Sequence, residues 1–215
     1  MSNQLPILLG TAATIGFIHT LVGPDHYLPF IVLSRANNWS ATKTALITIL
    51  CGIGHVASSI VLGFIGLALG IAIAKLEMFE SIRGSIAGWA FIAFGAGYLA
   101  WGLYKAIRNK PHKHIGHTKD DKKKLTPWVL FIVFVLGPCE PLIPLLMFPA
   151  AKGSTLGVIL VSLVFGIVTI ATMTTIVLLS TFGLKFAKLG KLERYVHALG
   201  GFIILLSGVA IQLGL

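Results

Sequence analysis

The sequence predicts an all-α membrane protein whose six transmembrane helices form two inverted-topology repeats of three helices each. Of its 215 residues, 56% are hydrophobic and only 11% are charged, and the mean hydropathy is +0.91. Six apolar runs are each long enough for the roughly 20 helical residues that cross a bilayer core. In addition, glycine and proline positions of the first half recur in the second half at a nearly constant shift, which predicts an internal duplication.

The six runs lie near residues 6–34, 44–72, 82–104, 127–149, 154–182 and 196–214. The first run follows Met1-Ser2-Asn3-Gln4, which has no basic side chain, and it is longer than the apolar core of a signal peptide. We therefore expect it to stay in the protein as the first span.

Basic residues are distributed unevenly between the connections. The connections after the first, third and fifth spans carry two, eight and four lysines or arginines, against two and one after the second and fourth. The positive-inside rule then places the odd-numbered connections in the cytoplasm and both termini outside, as in a prokaryotic cytoplasmic membrane. Because these residues anchor the spans in the bilayer, the net charge of +10 indicates no nucleic-acid partner.

The duplication defines three parts of the chain. The matched positions are Gly23-Pro24 with Gly137-Pro138 and residues 52–58 with 166–172 at a shift of 114, and Gly88 with Gly201 and Gly95 with Gly208 at a shift of 113. Residues 1–104 form the first repeat, 105–126 a lysine-rich cytoplasmic loop, and 127–215 the second repeat. Since each repeat has three spans, the second enters the membrane from the opposite side.

The two Gly-Pro steps predict the working site. Only two of the seven acidic residues, Asp25 and Glu140, fall inside predicted spans, each closely after Gly23-Pro24 or Gly137-Pro138. A charged side chain at the bilayer centre costs at least about 2.5–3.5 kcal/mol, so it indicates a task. Proline interrupts the helix, and in inverted-repeat transporters interrupted helices build the substrate site near the midplane.

Side chains of metal-ligand type surround these breaks, and they favour a first-row transition metal over magnesium or calcium. They are His19, Asp25, His26 and His55 in the first repeat and Cys139 and Glu140 in the second. For His55 a structural role is equally open. Two threonines, Thr169 and Thr172, either line the path or pack helices. In the long loop, His112, His114 and His117 either bind metal or are simply solvated.

The residues that begin at His19 carry a family resemblance. His19-Thr-Leu-Val-Gly-Pro-Asp-His26 is similar to the His-Pro-x-x-Gly-x-Asp-His signature of the HupE/UreJ nickel permeases, with Thr20 in place of the proline. It also resembles the His-x4-Asp-His helix of the NicO nickel/cobalt transporters, and Gly54-His55 resembles the Gly-His-containing helix that follows there. This resemblance implies that His19, Asp25, His26 and His55 handle a metal.

A second resemblance concerns Cys139. The segment from Gly137 to Pro144 looks like the Pro-Cys-x-x-Pro segments of the DsbD and CcdA thiol–disulfide carriers, which belong with lysine exporters (LysE) and the nickel permeases to one superfamily. Those carriers use a cysteine in each half, and here Asp25 occupies the first-half position. The only other cysteine, Cys51, lies in the second span and not on the helix expected of such a carrier, so we expect Cys51 to be a packing residue and thiol–disulfide exchange is disfavoured.

Together these patterns predict a secondary permease, not an enzyme, that moves a divalent transition-metal ion by alternating access, with coupling to protons left open. Nickel or cobalt is favoured as the substrate, with iron, zinc and manganese open, and no organic cofactor is expected. Three alternatives remain: a CcdA-like thiol–disulfide electron carrier that uses Cys139 and Cys51, a LysE-like exporter of a small organic solute, and an accessory protein that stores or delivers metal. Glycine-lined faces of the third and sixth spans also leave a homo-oligomer open.

Overall fold

The computed structural model describes residues 4–108, 121–139, 141–186 and 190–214, and the regular secondary structure of these residues is entirely helical. The helices are α1 (Leu5–Val22), α2 (Leu28–Ala36), α3 (Ala41–Ala68), α4 (Ile73–Ile107), α5 (Asp121–Leu136), α6 (Leu142–Ala151), α7 (Thr155–Phe186) and α8 (Val196–Gln212). Two short 3-10 segments, Pro24–His26 and Gly190–Tyr195, precede α2 and α8. The loop histidines His112, His114 and His117 lie outside the described residues, as does Glu140.

Five of the described helical segments are long and apolar enough to cross a membrane, namely α1, α3, α4, α7 and α8 together with the end of the 3-10 segment that precedes it (Glu193–Gln212). Their outward faces carry many exposed leucine, isoleucine, phenylalanine and tryptophan side chains, which suits contact with lipid tails. The protein is therefore an integral multi-pass membrane protein. The predicted span near 127–149 is divided between two shorter apolar helices, α5 and α6.

The start of α4 corrects the sequence analysis. The third span was predicted to begin at residue 82, but α4 begins at Ile73, so Glu80 and Arg83 lie inside a helix. Glu80 is only 1% exposed. The prediction that Asp25 and Glu140 are the only acidic residues within apolar helices was therefore wrong, and the side chain of Arg83 is only 18% exposed.

The glycine-lined faces of α4 and α8 pack against each other. A Cβ atom placed on Gly95 would meet the backbone of Leu205, and one placed on Gly201 would meet the backbone of Leu99. Only glycine permits this approach of two helix backbones, which is a common way for helices to associate in membranes. The faces that were left open for a second copy of the chain are thus used within the chain.

Two clusters of buried apolar side chains form the described core. One contains Cys51 with Phe30 and Phe134, and the other contains Cys139 with Phe165. The two cysteines of the chain therefore belong to different parts of the packing.

Candidate functional site

The backbone hydrogen bonds at the first helix break are formed between residues of the break itself. The helix α1 ends at Val22, and the amide of Gly23 donates to the carbonyl of His19 at 3.0 Å. Pro24 has no N–H group, so the chain continues as a 3-10 turn in which the amide of His26 donates to the carbonyl of Gly23 at 3.1 Å. No other helix is needed for these bonds, and the turn carries Asp25 and His26.

Asp25 and the Gly23 carbonyl fix the ring of His26. Nδ1 of His26 lies 3.1 Å from the Gly23 carbonyl oxygen and 3.2 Å from Oδ1 of Asp25. Both are acceptors, so Nδ1 carries the proton and Nε2 presents a lone pair when the ring is neutral. Nε2 is buried and has no hydrogen-bond partner within the described part of the chain.

Three histidines from separate elements meet at this turn. His19 comes from the last turn of α1, His26 from the 3-10 segment and His55 from α3, and one ring nitrogen of each lies within 4.8 Å of the others. The ring centroids are 4.7 Å apart for His19 and His26 and 5.1 Å apart for His26 and His55. We call these residues the histidine cluster.

His55 is oriented in the same manner as His26. Its Nδ1 lies 3.3 Å from the carbonyl oxygen of Phe134, which can only accept, so Nδ1 is the protonated nitrogen. Nε2 of all three cluster histidines is buried and lacks a partner among the described residues. Ligating histidines typically show this arrangement, in which the second ring nitrogen is held by a carbonyl or carboxylate. The histidine cluster therefore offers three imidazole donors, and two of them, His26 and His55, are oriented as in transition-metal sites.

A cavity of about 450 Å³ connects the histidine cluster to the second break. The three histidines and Asp25 line one part of it, and Gly137, Pro138 and Pro141 line another. Such a volume admits several water molecules, each of which occupies about 30 Å³ in the liquid. Residues predicted to work together thus do share one space, although Cys139 is not among those that line it.

The second break shares one local bond with the first, since the amide of Gly137 donates to the carbonyl of Val133 at 2.9 Å, but other helices complete its hydrogen bonding. The helix α5 ends at Leu136, and α6 begins at Leu142. Between them the amide of Cys139 donates to Oε2 of Glu80 at 3.1 Å and to Oγ of Ser59 at 3.2 Å. Cys139 is fully buried at 0% exposure. Its amide, which has no turn carbonyl to bond, is therefore held by side chains of α3 and α4.

Arg83 satisfies the carbonyls on the other side of the same break. Its Nη2 donates to the carbonyl of Val135 at 2.9 Å and to that of Gly137 at 3.3 Å, while Nη1 forms an ion pair with Glu80. Nη2 also donates to Oγ of Ser58 at 2.6 Å. We call Glu80 and Arg83 the α4 ion pair.

The α4 ion pair, Ser58 and Ser59 were not among the residues predicted for the site. One signal was available, since Glu80 and Arg83 are opposite charges three residues apart, which places them side by side on a helix.

The structure places the two predicted threonines away from the histidines' cavity. Thr169 is fully buried on α7, where it faces Gly16 of α1, and its hydroxyl has no partner among the described residues. Thr172 is half-buried on the same helix. Neither residue lines the cavity.

One family model matches the chain over residues 29–210, and its description is cytochrome c biogenesis protein transmembrane region. No curated protein and no solved structure matches. The match falls within the superfamily predicted from the sequence but gives no support to the likeness with the nickel permeases. It contradicts the predicted nickel or cobalt permease and favours the alternative, a transmembrane thiol–disulfide electron carrier. The chain belongs to the cytochrome c biogenesis transmembrane-region family.

Proposed function

We propose that the protein carries reducing equivalents across the membrane by thiol–disulfide exchange, as a component of cytochrome c biogenesis. One observation carries the proposal: in a member of this family, Cys139 lies in a Gly-Pro-Cys-Glu-Pro break between two apolar helices. Such a carrier moves electrons between protein thiols and is not an enzyme acting on a small substrate.

The exchange requires two thiols, and Cys51 is the only other cysteine. On one side of the membrane, a donor dithiol reduces a Cys51–Cys139 disulfide: the donor becomes a disulfide, the carrier S–S bond breaks, and the two carrier sulfurs take up two protons. On the other side, the carrier dithiol reduces an acceptor disulfide and returns to its oxidised form. Two electrons and two protons thus pass from donor to acceptor in each cycle.

Cys51 and Cys139 belong to separate core clusters, so the structure represents a state in which they are apart. The cycle therefore requires α3, which carries Cys51, to move relative to the second break. An inverted repeat would provide such a motion by rocking one half against the other. The packing supports a repeat of this kind, because α1 contacts α7 as its counterpart α5 contacts α3.

Electron transfer into closed vesicles tests the proposal. Vesicles that contain the protein enclose a disulfide-linked fluorescent reporter, and a charged peptide with two cysteines serves as the external, impermeant dithiol. We expect reporter reduction with the unmodified protein and a loss of at least about tenfold with either Cys139→Ser or Cys51→Ser, because one thiol cannot complete a two-electron exchange. Full transfer by either variant would refute the proposal.

A second candidate function is transition-metal binding by the histidine cluster, and one observation favours it. The Nε2 atoms of His19, His26 and His55 are buried and unpartnered in the described structure, and one ring nitrogen of each lies within 4.8 Å of the others. A bound ion would satisfy all three. Imidazole suits zinc, copper, iron, nickel and cobalt, so the donor set alone does not select one ion.

Metal analysis of the purified protein tests this candidate. We expect one ion per chain after exposure to equal amounts of zinc, copper, iron, nickel and cobalt, and none in the His26→Ala or His55→Ala variant. His197→Ala is the matched control, because His197 lies on α8 beside Tyr98 and Lys105, outside the cluster. Equal metal content in all four proteins would contradict a site at the cluster.

A further inference from the structure

We propose that the α4 ion pair is a latch on the second break: paired, it holds Cys139 in a closed position, and when it separates from the break the thiol becomes accessible for exchange. The inference rests on the proposed thiol exchange and adds two positioning residues to it. Glu80 and Arg83 act through the backbone around Cys139.

The two members of the α4 ion pair bind opposite kinds of backbone group at the second break. A break in a helix leaves amides without acceptors on one side and carbonyls without donors on the other. Glu80 accepts from the amide of Cys139, and Arg83 donates to the carbonyls of Val135 and Gly137. The two members of one ion pair thus hold the two ends of the same break.

Both side chains of the α4 ion pair are largely buried. Glu80 is 1% exposed, and the side chain of Arg83 is 18% exposed. A buried charge that loses its partner is strongly unfavourable, since no water replaces the lost bonds. The two charges therefore stabilise each other, and the backbone groups of the break complete their hydrogen bonding. Separation of the break from the pair disturbs all of these bonds together, which is expected of an element with two discrete positions.

The thiol of Cys139 is enclosed by the packing around the second break. Cys139 has 0% exposure and does not line the cavity, so a donor thiol cannot reach its sulfur in this arrangement. Thiol–disulfide exchange requires access for the attacking sulfur. The closed break must open during exchange, and the amide of Cys139 is held by Glu80 and by Ser59, which itself donates to Glu80 at 3.1 Å.

Ser58 extends the latch to the histidine cluster. Oγ of Ser58 donates to the carbonyl of His55 at 2.8 Å and accepts from Arg83 at 2.6 Å. A continuous set of hydrogen bonds therefore runs from the backbone of His55 through Arg83 and Glu80 to Cys139. The latch therefore lies between the histidine cluster and the second break.

Alkylation of single-cysteine proteins tests the latch. A Cys51→Ser background leaves only Cys139, and a Cys139→Ser background leaves only Cys51. In lipid vesicles, N-ethylmaleimide labelling is followed by the mass of the intact chain. We expect Glu80→Ala and Arg83→Lys to speed the labelling of Cys139 by about tenfold, because each removes buried bonds that keep the break closed. Glu77→Gln is the matched control, since Glu77 is exposed one turn away on α4.

Labelling of Cys51 separates local opening from unfolding. Cys51 is 1% exposed in the other core cluster, so it reacts only when the wider fold opens. The latch predicts faster labelling of Cys139 with unchanged labelling of Cys51. A role in stability alone would speed the labelling of both cysteines.

Unchanged labelling of Cys139, or equally faster labelling of both cysteines, would refute the latch. If Glu80→Ala does not fold, Ser59→Ala keeps the ion pair and removes one bond to the Cys139 amide, and about threefold faster labelling of Cys139 is expected. If labelling responds as described but Cys139→Ser leaves transfer intact, the proposed carrier function fails and the latch stands; if Cys139→Ser abolishes transfer and labelling does not respond, the latch fails alone.

Discussion

The two Gly-Pro breaks resemble each other in sequence and differ in how their backbones are satisfied. The first closes its own hydrogen bonds within a 3-10 turn, from His19 to His26. The second depends on Ser59 and the α4 ion pair, which come from two other helices. The two breaks therefore share a backbone interruption but rely on different surrounding side chains for support.

The difference extends to chemistry. The first break brings imidazole and carboxylate groups to a cavity, whereas the second encloses a thiol in packed surroundings. The family match begins at residue 29, after His26, and includes Cys139. This supports the assignment of the family's exchange chemistry to the second break, and it leaves the first break as a feature that the match does not cover.

The largest expected effect concerns the α4 ion pair, which supports the second break and has no counterpart at the first. Arg83→Met leaves Glu80 buried without its cation, so we expect the free energy of unfolding to fall by about 3–5 kcal/mol. The measurement is denaturant unfolding of the purified protein in detergent. Arg35→Met is the matched control, because its partner Glu193 is exposed and 3.9 Å away, and such pairs contribute at most about 1 kcal/mol. Equal small losses would show that the second break does not rely on the pair.

A smaller effect is expected at the first break. Asp25→Asn keeps an acceptor beside Nδ1 of His26 but removes the negative charge, and loss of such an outer partner typically lowers metal affinity about 10- to 100-fold. Competition titration with zinc measures this. Since the turn closes its own backbone bonds, we expect unfolding of the metal-free variant to change by less than about 1 kcal/mol. A large loss of stability without metal would mean that the first break also needs its charged side chain for support.

The smallest effect concerns Ser58, which joins the two breaks. Ser58→Ala removes its bond to the carbonyl of His55 and the contact with Arg83, so we expect a loss of about 0.5–1.5 kcal/mol in the free energy of unfolding. Ser207→Ala on α8 is the control, since its hydroxyl bonds only within its own helix. A loss no larger than that of the control would indicate that the contact with Arg83 contributes little.

Much of the fold was predictable because a bilayer imposes strict demands on a sequence. The helical class, the membrane location, and the meeting of His19, Asp25, His26 and His55 follow from hydropathy and from the cost of burying polar groups. The six crossings and the inverted repeat stay predictions, because five described helices are long enough to span and α5 and α6 are short.

The α4 ion pair was not predictable by the same reasoning. Charged residues near the end of an apolar run are usually at the membrane surface, and hydropathy cannot distinguish that case from a pair that neutralises itself inside. The distance between Cys51 and Cys139 is likewise a property of packing and not of spacing. The function was predicted wrongly because a few side chains of metal-ligand type favoured a metal. The sequence pattern that defines the family, in contrast, extends over most of the chain.

The backbone contact between α4 and α8 has a mechanical consequence. At Gly95 and Gly201 the two helices touch without side chains between them, so no rotamer change can let one slide past the other. At a rise of about 1.5 Å per residue, the 35 residues of α4 extend roughly 50 Å and the 17 residues of α8 roughly 25 Å, so α8 braces about half of α4. The close approaches run from Gly88, beside Gln212 at the end of α8, to Gly102, beside Ala198. Glu80 and Arg83 lie on α4 just beyond this braced stretch, so the second break is held by the free end of a helix whose other part is fixed.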